Sequence, residues 1–140
     1  MTRRPGIPRS TPARTIGRVM LAAGLVFAGV SHLFWARREF RAQVPPWVPI
    51  DADAVVVGSG VAEIGLGTAL VALPRERERI GTIAAAFFIA VFPGNVAQWA
   101  ERRSAFGLTT DRARFIRLFF QPLLVALAVW STLPAADRRR

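Results

Sequence analysis

Along this chain the apolar positions gather into four long runs, and the charged residues and most prolines fall between them. The runs cover residues 16–35, 51–73, 80–99 and 115–133, each close to the ~20 residues needed to cross a bilayer as a helix. In the first, only Arg18 near the start and His32 near the end break the apolar series. The second opens on Asp51 and Asp53, which suit a helix N-terminus by capping and by charge, and Pro74 stops it. The third contains Pro93-Gly94-Asn95; the proline removes a backbone donor and frees the carbonyl of Ile89, which predicts a kink. The fourth is interrupted at Gln121-Pro122 and closed by Pro134. The expected fold is all-α, a four-helix transmembrane bundle with antiparallel neighbours.

The segments between the runs set the topology. Residues 1–15 hold Arg3, Arg4, Arg9 and Arg14 among Pro5, Pro8 and Pro12, and read as a solvated, non-helical basic tail. A cleaved signal peptide is the competing reading, but its apolar core is usually only about 7–15 residues, shorter than this run. Arg37, Arg38, Glu39 and Arg41 close the first span, and Pro45-Pro46-Trp47-Val48-Pro49 follows as a stiff loop at the membrane interface. The charged turn from Arg75 to Arg79 is short enough to make the second and third spans antiparallel neighbours. Residues 102–114 read as a polar loop and 134–140 as a second basic tail. An even number of spans places both termini on one face. That face carries most of the arginines, so both termini are expected in the cytoplasm. Trp35, Trp47 and Trp99 then fall at the opposite face and Trp130 near the terminal one, at headgroup depth.

Composition agrees with this pattern and narrows the chemistry. A hydrophobic fraction of 52% and a mean hydropathy of +0.33 call for lipid around the chain. A formal charge of +10 could signal nucleic acid, but the basic residues are all arginine and flank apolar runs, which points to lipid headgroups; no nucleic-acid partner is expected. The absence of cysteine excludes thiol–disulfide exchange, thiolate zinc sites and iron–sulfur ligation by this chain. One histidine and nine carboxylates show no ligand spacing, so no metal is expected.

Among the polar residues inside the apolar runs, His32, Glu63, Asn95 and Gln121 are the candidates for chemistry. At a rise of about 1.5 Å per residue they fall at a similar level, in the half of the bundle away from the termini. Ser59, Gly60, Glu63 and Gly67 share one face of the second span, where small residues admit a neighbouring helix and turn Glu63 inward. Gly24, Ala28 and His32 form a similar series on the first, so the simplest assembly buries His32 with Glu63. Two readings stay open for each. Glu63 is a functional carboxyl group or interhelical glue; His32 is proton-handling or merely solvated at a helix end; Asn95 and Gln121 bind something or satisfy the backbone beside their prolines. Ser59 and Arg117 are possible supports, the arginine as a snorkelling side chain.

The motifs Gly29-Val30-Ser31-His32-Leu33-Phe34, Val44-Pro45-Pro46-Trp47-Val48-Pro49, Ser59-Gly60-Val61-Ala62-Glu63 and Val91-Phe92-Pro93-Gly94-Asn95-Val96, followed by Arg117 and Gln121, resemble the DoxX-like family of small four-helix membrane proteins. The resemblance covers roughly residues 16–133. It implies a four-helix bundle in the bacterial cytoplasmic membrane and, for some relatives, a place in quinone-linked oxidoreductase complexes; others are associated with assembly. Three functions follow as expectations: a quinone-linked membrane subunit with oxidoreductase partners, a non-catalytic assembly or scaffold subunit, and a proton-coupled carrier. The last is disfavoured because four spans without an inverted repeat leave little room for alternating access.

Overall fold

A computed structural model describes residues 6–136; Arg3, Arg4, Asp137 and Arg138 to Arg140, assigned to the basic tails, lie outside the described residues. The described chain is all-α, with helices α1 (Pro12–Leu33), α2 (Arg37–Arg41), α3 (Ala52–Ala72), α4 (Arg77–Ala100), α5 (Asp111–Leu118) and α6 (Phe120–Thr132). Four helical stretches are long and apolar enough to cross a membrane: α1, α3, α4, and α5 with α6 taken together. The protein is thus a small multi-pass membrane protein built as a four-helix bundle.

The helix ends show where local chemistry overrides the apolar pattern. The first helix starts inside the expected non-helical tail, because Thr11 caps the amide of Arg14 at 3.3 Å and Pro12 occupies the first turn, where its missing N–H costs nothing. Asp51 caps α3 as expected, through Ala54 N at 3.1 Å. The charged segment after the first span forms the short helix α2 instead of a simple terminus. The charged turn before the third span gives its last residues, from Arg77 on, to α4. The second half of the expected polar loop is helical from Asp111, capped by Thr110 through Ala113 N at 3.1 Å. The break in the last span falls at Phe119, just before the expected Gln121-Pro122 interruption; Phe119 N reaches back three residues to Ile116 O at 3.1 Å, and Pro122 cannot donate to the carbonyl of Leu118. Helix α4 continues unbroken through Pro93.

Among the long helices, α1 packs most extensively on α3, and α4 on α6. Helix α1 also meets α6, while α3 and α4, joined by the short turn, share the lightest seam of the bundle. In lipid the apolar surface of a helix gains little by leaving its surroundings, so close backbone approach and interhelical polar contacts must hold the bundle together. Glycine permits that approach. A Cβ added at Gly29 would stand 2.5 Å from Gly60 O and 3.0 Å from Ile64 N, and one at Gly67 would stand 2.7 Å from Ala22 O. The contact face of α1 is therefore Ala22, Leu25, Gly29 and His32; Gly24, placed on that face by its spacing, has open space beside it. Leu70, Ala84 and Ala128 are fully enclosed at the centre, whereas Met20, Phe27 and Leu123 point outward, as lipid-facing side chains do.

At the end where α1 begins and α6 finishes, arginines satisfy the carbonyls at and just beyond the last residue of α6. Arg77 donates from Nε to Thr132 O at 3.1 Å, and Arg14 donates from Nη1 to Leu133 O at 3.3 Å and also to Pro134 O. These carbonyls have no helical partner, so cationic donors suit them in both hydrogen bonding and dipole.

Candidate functional site

His32 and Glu63 meet where α1 crosses α3, at the glycine contact of Gly29 with Gly60. His32 Nδ1 lies 2.8 Å from Glu63 Oε2, and the two residues are only 4% and 9% exposed. The ring N–H and the carboxylate oxygen are in contact without being aligned, and neither atom has another hydrogen-bond partner. Such a pair can pass a proton between its members without creating a lone buried charge. Phe40 of α2 stands edge-on to the imidazole with ring centroids 3.4 Å apart, and Phe106 packs on Phe40 in turn at 4.7 Å. An aromatic cover thus shields the histidine from the loop side.

Asn95 and Gln121 form a second pair, between α4 and α6. Asn95 Nδ2 donates to Gln121 Oε1 at 3.1 Å, and Gln121 Nε2 donates to the carbonyl of Phe88 at 2.8 Å. The backbone acceptor near the proline is thus served from another helix, and it is Phe88 O, one residue before the Ile89 carbonyl expected from proline geometry. Both amides are buried. Asn95 keeps its own carbonyl oxygen and one amide hydrogen beyond this chain of bonds.

The two pairs line one cavity of about 540 Å³, within the ~300–1,000 Å³ typical of small-molecule sites. Its walls are mainly apolar, from Leu21, Leu25, Val56, Phe87, Phe88 and Leu124, and its polar groups converge from four helices. Gly24 and Ala28 face this space, which explains why they are not part of the helix contact. Ser59 also lines it, but its hydroxyl donates to Val55 O at 2.8 Å on its own helix. Arg117 reaches the cavity half-buried, with its guanidinium 6.0 Å from the Phe120 ring centre.

Sequence patterning misses the roof. Gln43, Val44, Pro45, Trp47 and Val48 close the end of the cavity away from the termini. The loop is held by Gln43 Nε2 donating to Gln98 Oε1 at 2.8 Å, and by Arg103 Nη1 donating to Ala42 O and Val44 O, each at 3.1 Å. Gly94 lets the loop settle on α4, since a Cβ there would stand 2.6 Å from Gln43 O. Arg114, 5% exposed, organises the neighbouring loop through Arg103 O, Thr109 O, Ser104 Oγ and Asp111. The usable signals were the glycine at position 94 and the glutamines bordering the apolar runs.

Residues 21–132, which include the cavity-lining helices almost entirely, match the family described as Domain of unknown function (DUF8561). No match was found among curated proteins or among solved structures.

Proposed function

The chain belongs to the DUF8561 family, and with no reaction to carry over from that membership we propose that it binds an apolar, oxygen-bearing ligand of the quinone class as a membrane subunit of an oxidoreductase complex. The observation that carries this reading is the His32–Glu63 pair, buried, without other partners, and set in the wall of a largely apolar 540 Å³ cavity. An apolar ring and tail suit the walls, while a ring oxygen needs the few convergent polar groups the cavity supplies. A quinone, when bound, supplies two-electron, two-proton chemistry.

The residues divide the work. Asn95, with its spare amide hydrogen and carbonyl, and Arg117, as a donor, orient the oxygens of the ligand. His32 and Glu63 hold and exchange the proton. Gln121 fixes Asn95, and the loop bearing Trp47 excludes water. This chain has no cysteine with which to relay electrons, so reducing equivalents pass through a partner oxidoreductase. The reading also draws on the likeness to DoxX-like proteins, and it places the protein in a bacterial cytoplasmic membrane with both termini inside.

The test is purification in mild detergent with mass spectrometry of lipid-soluble cofactors and co-purifying proteins. The expected result is a stoichiometric quinone that is depleted in Glu63→Gln and His32→Ala variants that remain folded. Partner proteins retained with no quinone, even after quinone is added, would leave the four polar residues as interhelical glue in an assembly subunit.

A further inference from the structure

A second polar cluster lies at the end of the bundle that holds the termini, apart from the cavity's His32–Glu63 pair. Arg18 sits on the same bundle-facing stripe of α1 as Leu21, Ala22 and Leu25 and is only 8% exposed. Its Nε and Nη1 are enclosed and have no hydrogen-bond partner. Ser131, in the last turn of α6, is fully enclosed, and its hydroxyl is likewise unpartnered. The two helix ends meet here: a Cβ added at Gly17 would stand 3.0 Å from the Trp130 ring and 3.5 Å from Ser131 Cβ.

Arg77 brings a second buried cation to the same place. It is 1% exposed and anchored on the carbonyl of Thr132, the residue after Ser131, and on Arg9 O at 2.6 Å. Among the described residues the arginine ion pairs involve Arg37, Arg79, Arg102, Arg103 and Arg114, and neither Arg18 nor Arg77 has a carboxylate partner. Two buried guanidinium groups at this end of the bundle, neither with a carboxylate partner among the described residues, form an unbalanced site, because a buried charge is costly without a counter-charge. An anion would relieve both the missing hydrogen bonds of Arg18 and Ser131 and the uncompensated buried charge.

Position and chemistry select the anion. The exposed edge of Trp130 marks headgroup depth at this level of the bundle. Phosphate oxygens accept strong charge-assisted hydrogen bonds from guanidinium donors and from a hydroxyl. We propose that Arg18, backed by Arg77 and Ser131, forms a binding site for a phosphate group, carried either by an anionic lipid headgroup or by free phosphate.

The test uses the full chain in detergent, with phosphatidylglycerol, phosphate-free diacylglycerol and inorganic phosphate as probes, read by native mass spectrometry and by thermal melting. Arg18→Gln is expected to weaken binding of the phosphate-bearing probe by roughly tenfold, the scale of one lost charged hydrogen bond. Arg79→Gln removes the same charge at the same end from an exposed residue paired with Glu76, and should leave binding nearly unchanged. A loss confined to phosphatidylglycerol assigns the site to a headgroup; a parallel loss of inorganic phosphate binding assigns it to free phosphate, and either sustains the proposal. Equal effects of the two substitutions overturn it by reducing the attraction to general charge. If Arg18→Gln does not fold, the wild type decides: stabilisation by phosphatidylglycerol over diacylglycerol, or by phosphate, supports the site, and no difference with any probe overturns it.

Discussion

Replacing Gly29 by alanine tests the link between helix packing and the polar pair. The added methyl would lie 2.5 Å from Gly60 O, 2.8 Å from Ile64 Cγ1 and 3.0 Å from Ile64 N. Two of these neighbours are backbone atoms and cannot rotate away. An ordinary carbon–oxygen contact lies at about 3.3–3.6 Å, so α1 and α3 must part by about 1 Å. Overpacking of this kind costs about 1–3 kcal/mol, and alanine's better helix propensity returns about 1 kcal/mol, leaving a net loss of up to about 2 kcal/mol. The same displacement would pull His32 Nδ1 off Glu63 Oε2, now 2.8 Å away. The chain has one histidine, so selective ¹⁵N-histidine labelling reports on this ring alone. Gly29→Ala should lower the melting temperature in detergent and shift the His32 ring resonances. Gly65→Ala, at a site with nothing within 4 Å, should do neither. A Gly29→Ala protein with unchanged stability and unchanged ring resonances would refute the backbone contact and its role in seating the pair.

Two further expectations concern the second polar pair and the topology. Gln121→Leu leaves the Phe88 carbonyl and the Asn95 amide without their partner, and should destabilise the bundle by about 1–3 kcal/mol in a denaturant titration; a cost near zero would mean that water or another group already serves them. Single cysteines introduced into this cysteine-free chain at Ser10 and Ala135 should react with an impermeant thiol reagent from one side of the membrane, and one at Ser104 from the other. Labelling of Ser10→Cys and Ala135→Cys from opposite sides would rule out an even number of crossings.

Much of the arrangement is legible from local patterns, and what is not depends on distant contacts. The four spans can be read because lipid demands uninterrupted apolar length, so charges and most prolines are driven to the ends. The inward turn of Glu63 can be read because Gly60 and Gly67 share its helix face. His32 is reached as its partner through the Gly24–Ala28–His32 spacing on the first span, of which only the histidine lies at the helix contact. Gly24 and Ala28 show the limit of that reasoning: a small-residue stripe signals open space as well as a neighbouring helix, and here it borders the cavity. The helix start at Pro12 rests on a cap and first-turn geometry that tail-like composition obscures. Phe40 of α2 and Gln43 of the loop after it join the site because that segment folds back onto His32 of α1 and Gln98 of α4, and no local period encodes that return. The burial of Arg18 is equally hidden, since the sequence shows only a polar break near the start of the first apolar run.

The central claim is that the His32–Glu63 pair faces a ligand cavity. It is tested most directly by titrating a short-chain benzoquinone into ¹⁵N-histidine-labelled protein in lipid nanodiscs. The His32 ring resonances should move to a saturable end point in the wild type, and the response should be lost in a folded Glu63→Gln protein. Resonances that stay fixed while the quinone fills the bilayer, or that drift without saturation equally in both proteins, would contradict it.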